Sequence, residues 1–167
     1  MHRRLLLAVI ILIPLMLSAC GFHLRGMQSA NLPQAYQTLR FESGAAVNTE
    51  IVALLQNALI ERAGVSLAED KGLPVFVFMG ESFERRVLAV NVASGTATDY
   101  LLIYRLYYQL NNASGKAVLP RKLVYLQRDF RYDPNDALGM SREEERLQYE
   151  MRLSAVDRVI LHLSHMP

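Results

Sequence analysis

The side chains of this 167-residue chain with reactive chemistry to offer are few: one cysteine, Cys20, and four histidines, His2, His23, His162 and His165. A thiolate is a nucleophile and a metal ligand, and imidazole is a general base and a metal ligand. Spacing limits both uses. His162 and His165 stand three apart, which suits one side of a helix, yet a metal site needs a further ligand and only the distant Asp157 is at hand. Cys20 has no second cysteine with which to form a disulfide. No nucleophile elbow, phosphate-binding loop or dinucleotide fingerprint occurs. These residues point away from catalysis, and no metal or cofactor is expected.

Cys20 takes its meaning from what precedes it. His2, Arg3 and Arg4 form a basic head, and Leu5 to Leu17 an apolar run interrupted by Pro14. That run falls short of the ~20 residues needed to cross ~30 Å of hydrocarbon. With the small residues Ser18 and Ala19 it describes a secretory signal peptide. The stretch "LSAC" resembles the lipobox of bacterial lipoproteins. That likeness implies a diacylglycerol on the Cys20 sulfur, cleavage before Cys20 and acylation of the new amine. Several acyl chains anchor a protein stably where one does so only marginally. The residue after Cys20 is Gly21, not the Asp that retains such lipoproteins in the inner membrane, which implies the outer membrane. The expected organisation is a signal peptide over 1–19, a lipidated N-terminus and tether over 20–37, and one domain over 38–165.

The mature length suits a single domain. The signal segment removes two of the 18 Lys+Arg, leaving them equal to the 16 Asp+Glu. A neutral, secreted chain is a poor candidate for nucleic-acid binding. There is no Trp, but there are eight Tyr, mostly in the second half.

The elements that must position these residues follow from periodicity. "TLRFES" (38–43) reads as a short strand. Ile51, Leu54, Leu55, Ala58 and Leu59 recur at helical spacing, which predicts a helix over about 48–63 with Asn48 or Thr49 as cap and Gly64 as stop. Residues 73–92 begin as an unbroken apolar run and then turn mixed, a strand covered on both faces only in its first half. "ATDYLLIYRLYYQL" (97–110) alternates: Tyr100, Leu102, Tyr104, Leu106, Tyr108 and Leu110 on one face, Leu101, Ile103, Arg105, Tyr107 and Gln109 on the other. A further strand over about 118–132 completes a meander. "DPNDALGM" breaks the sheet, and Ser141 with Glu144 reads as a capping box opening a long helix. Its expected apolar stripe is Tyr149, Leu153, Val156, Ile160 and Leu163. The order β-α-β-β-β-α predicts an α+β, two-layer sandwich, with two helices on one face of a mixed sheet of about four strands.

In this order, "CGFHLRG" behind a lipobox, the strand–helix pair, "TATDYLLIYRLYYQL" and "RDFRYDPNDALGMSREEERLQYEM" resemble the LptE family of lipopolysaccharide-assembly lipoproteins. The resemblance implies a non-enzymatic protein seated as plug and assembly factor inside the outer-membrane β-barrel LptD. The pair delivers lipopolysaccharide to the outer leaflet. The implied partners are the barrel, lipopolysaccharide and, through the acyl chains, the membrane.

Lipopolysaccharide phosphates call for Arg or Lys. The candidates are Arg85 and Arg86, which as strand neighbours face opposite sides, Arg121 and Lys122, and Arg142 at the expected start of the last helix. For the barrel contact the candidates are Tyr100, Tyr104, Tyr107, Tyr108 and Tyr125, since tyrosine joins a large apolar body to a polar tip. A rival with the same anchor and fold class is a periplasmic adaptor for soluble partners, distinguished by failing to copurify with a barrel.

Overall fold

The computed structural model describes residues 32–44 and 47–166. Cys20, the signal segment and the tether up to Asn31 lie outside the described residues. The elements are β1 (Thr38–Ser43), α1 (Thr49–Glu61), β2 (Ser66–Leu67), β3 (Val75–Val90), β4 (Ala97–Asn111), β5 (Ala117–Arg131) and α2 (Ala137–Ser164). They form an α+β domain whose single mixed sheet runs β2-β1-β3-β4-β5. β1 is parallel to both β2 and β3, while β3, β4 and β5 make an antiparallel meander. The sheet has five strands where about four are expected. The extra one, β2, is only two residues long, too short to show the alternation by which strands are recognised.

α1 begins where expected. The Asn48 side chain accepts a hydrogen bond from the Glu50 N–H at 2.8 Å, and Ile51, Leu55, Ala58 and Leu59 are buried. Gly64 follows it with φ +64°, a conformation that a side chain would strain. α2 begins four residues before Ser141. The Asp136 carboxylate caps it, accepting from the Gly139 N–H at 3.1 Å, and the Ser141 hydroxyl merely donates back to the Ala137 carbonyl. The buried stripe of α2 is Leu147, Met151, Ala155, Val156, Val159, Ile160 and Leu163. Tyr149 and Leu153 are exposed. The expected stripe is therefore right from Val156 onward and rotated before it, where the polar run Arg142–Arg146 leaves little apolar pattern to read.

One core joins both helices to one face of the sheet. Phe76, Phe78, Leu102, Tyr104, Leu106, Tyr108, Leu110, Val124 and Leu126 meet Leu55 and Leu59 of α1 and the α2 stripe. Register preserves that face across the meander: Tyr104 lies opposite Phe83 and Leu126, and Tyr108 opposite Phe78 and Lys122. A bulge at Met79 resets β3 after Phe78 and leaves Met79 outside. β5 is an edge strand, with Pro120 and Arg121 together facing a register shift of β4 near Gln109. A proline at a bulge and several cations along the strand discourage pairing with another chain.

Candidate functional site

With both helices on one face, the other face of the meander is left open, and it carries the densest arrangement of arginine and tyrosine. From β3 it receives Glu84 and Arg86, from β4 Ile103, Arg105 and Tyr107, and from β5 Arg121, Tyr125 and Gln127. Glu84 accepts from Arg86 at 2.8 Å and from Arg105 at 2.9 Å. These two guanidiniums, Arg86 foremost, hold the Glu84 carboxyl below the usual carboxylate range. Arg105 lies 5.6 Å over the Tyr125 ring, and Gln127 donates to the Tyr125 hydroxyl at 2.6 Å. Arg121 lies 4.2 Å over the Tyr107 ring. Beneath this layer Ile103 is fully buried, although no helix covers it. It lies opposite Glu84 and Gln127 in the register. The face is thus an ordered set of stacked cations and aromatics over an apolar floor, suited to a broad surface contact.

The helix-covered face treats the same residue types differently. Tyr104 and Tyr108 are fully buried. The Tyr104 hydroxyl donates to Glu81 at 2.6 Å. Arg152 from α2 donates to both Glu81 oxygens at 3.1 and 3.2 Å and reaches Glu50 of α1 at 2.8 Å. Burial works against the Arg152 charge, and the carboxylates of Glu81 and Glu50 outweigh it. Burial first, then Glu81, push Tyr104 far above the phenol range. Burial likewise raises Tyr108, whose hydroxyl lies 2.8 Å from His162 Nδ1. The same network ties β3, β4, α1 and α2 together.

The residues expected to act together are therefore divided. Arg85 and Arg86 do face opposite sides. Arg85 lies on the helix side, bonded to Glu144 at 2.8 Å and 4.7 Å over the Tyr100 ring. Arg121 is on the open face, while Lys122 lies beside His162 on the other. Arg142 is exposed in the second turn of α2, not at its N-terminus. Among the five tyrosines only Tyr107 and Tyr125 present rings on the open face. Tyr104 and Tyr108 have no surface left for a partner, because the helices that make the core cover their face. Sequence reasoning passes over Glu84, Arg105 and Gln127 as parts of the site. Arg105 and Tyr107 alternate together on β4, but only register brings Glu84 and Gln127 to them. Among the described residues no three His, Cys, Asp or Glu converge as a metal site. No described helix is long and apolar enough to cross a membrane.

The family model for LptE, lipopolysaccharide-assembly, matches residues 36–163, all but the first four and last three of the described residues. The chain belongs to the LptE family. It is thereby a component of lipopolysaccharide assembly, a role in which LptE proteins do not act as enzymes. The chain is similar in structure to rare lipoprotein B from Shewanella oneidensis, with 29% identity and a TM-score of 0.64 over 75% of this chain and 91% of that one. It also shares its fold with a lipoprotein B from Nitrosomonas europaea, at 21% identity and a TM-score of 0.70 over 86% and 90% of the two chains. A minor lipoprotein from Acinetobacter baumannii shares it at 19% identity, with a TM-score of 0.65 over 79% and 93%. No curated protein matches the chain.

Proposed function

We propose that this LptE protein is held in the outer membrane by acyl chains on Cys20 and plugs, and helps assemble, an LptD-type β-barrel that inserts lipopolysaccharide into the outer leaflet. The observation that carries this reading is the open face of β3, β4 and β5. A sheet with one face sealed by two helices and the other paved with Arg86, Arg105, Tyr107, Arg121 and Tyr125 offers a large, rigid surface to a barrel wall. Interface contacts of this kind are enriched in arginine and tyrosine because each adds area and directed hydrogen bonding. Lipopolysaccharide phosphates are then contacted by exposed cations outside the internal ion pairs, Arg121 and Arg142 first. Arg86 and Arg85 are engaged with Glu84 and Glu144 and contribute less.

The test is a pull-down of the tagged full-length lipoprotein from solubilised outer membrane, with photo-crosslinking amino acids placed at Tyr107, at Tyr125 and, for contrast, at exposed Glu61 of α1. A stoichiometric large β-barrel that survives harsh detergent, crosslinked from positions 107 and 125 but not 61, is the expected result. Recovery of the lipoprotein alone, or with soluble proteins only, would remove the barrel reading and favour a periplasmic adaptor.

A further inference from the structure

Between the start of β5 and the last turns of α2 lies a groove of about 360 Å³ that takes no part in the open face. Its walls are apolar: Val118 and Leu119 from β5, Leu161 and Met166 from α2 and just beyond it. Leu161 is 55% exposed and Val118 38% exposed, so both hold apolar surface against water in the absence of an occupant. The polar side chains at this groove are Lys122, His162 and His165, and among the described residues no carboxylate side chain lines it. His162 is held by Tyr108 on the core side, 2.8 Å from its hydroxyl. The groove is therefore apolar with one cation, Lys122, and two imidazoles at its rim.

We propose that this groove binds one long-chain carboxylate, a fatty acid, with its chain along Val118, Leu119, Leu161 and Met166 and its head group at Lys122. Charge and size both select this occupant. The volume is at the low end for small-molecule pockets, room for one acyl chain and not for the several chains of a glycolipid. The protein's own tether is a poor match, because residues 21–31 contain Arg25 and His23 but no acid. A cation at the mouth of an apolar groove rewards an anionic head through a charge-assisted hydrogen bond. The inference stands on this groove alone and does not depend on the barrel reading.

The experiment uses the full-length lipoprotein in a nonionic detergent, photolabelled with a diazirine-bearing dodecanoate and mapped by peptide mass spectrometry. Label concentrated on residues 118–122 and 161–166 and displaced by dodecanoate about tenfold better than by dodecanol is the expected result. Lys122→Glu should lower labelling by about tenfold, and Leu161→Asp should abolish it, both at exposed positions that leave the core intact. Label spread evenly over the surface, or unchanged in both variants, would overturn the proposal. So would displacement by lipopolysaccharide but not by dodecanoate, which would assign the groove to the glycolipid. Absence of label together with crosslinks from residues 21–31 to α2 would give the groove to the protein's own N-terminal segment.

Discussion

Tyr107 and Tyr108 are neighbours on β4 and have opposite fates. Tyr108 is sealed in the core with its hydroxyl 2.8 Å from His162, and Tyr107 lies on the open face with Arg121 4.2 Å over its ring. The contrast extends along the strand, where Tyr104 gives its hydroxyl to the half-buried carboxylate of Glu81 while Arg105 stacks on Tyr125 across the register. Both faces obey the same alternation and draw on the same residue types. What separates them is cover: two helices dry one face, so each polar tip there must find a partner inside, while on the other face cations and rings partner each other and stay available. A tyrosine in a strand is thus a core residue or a contact residue according to what packs above it.

The largest test of that contrast is Tyr104→Ala. Removing a fully buried ring should cost ~3–5 kcal/mol, read from urea unfolding midpoints. Tyr104→Phe keeps the ring but takes the donor from Glu81, and should cost about 1–3 kcal/mol. If the phenylalanine variant were as damaging as the alanine one, the hydrogen-bonded network and not the packing would dominate this face.

A smaller effect is expected at His162. Burial first, then Lys122, Arg158 and His165, hold its pKa below the ordinary histidine value of 6.5. A folded-state pKa below the unfolded one means that the unfolded chain takes up this proton first as pH falls. The stability tied to neutral His162 is therefore present above about 6.5 and is lost as pH drops through that value toward the folded one. Denaturation midpoints measured from pH 8 down to pH 5 should fall for the wild type and fall less for His162→Gln, which cannot be charged and can still pair with Tyr108. An equal fall in both would remove His162 from the account.

The smallest effect on stability is expected on the open face. Tyr107→Ala and Arg121→Ala should each change unfolding by no more than ~1 kcal/mol, the worth of an exposed cation–π contact. Both should nevertheless weaken barrel capture in the pull-down. A loss of stability comparable to that of Tyr104→Ala would make the open face a second core and erase the distinction between the two.

Much of this fold is legible in one dimension because its signals are local. Asn48 and Gly64 bracket α1, the alternation of 97–110 reads directly as β4, and the β-α-β-β-β-α order carries through. Signals fail where they are short or where two compete. β2 has two residues, below any period. At the start of α2 the capping box at Ser141 is a sound motif, but Asp136 offers a cap one turn earlier and the helix extends to it. Of the candidate site, the opposite orientation of Arg85 and Arg86 and the shared face of Arg105 and Tyr107 follow from a period of two. Their partners do not, since Glu84 and Gln127 are brought in by pairing between strands.

By itself the sequence determined the longer elements, their order and the two faces of β4, because each is written in residues a few positions apart. Tertiary structure alone decided which face of β4 would be dry. Periodicity says that Tyr104 and Tyr107 point opposite ways, but burial belongs to the helices that pack on the sheet. Their placement is set by contacts such as Arg152 with Glu81, 71 residues apart, that no local pattern encodes.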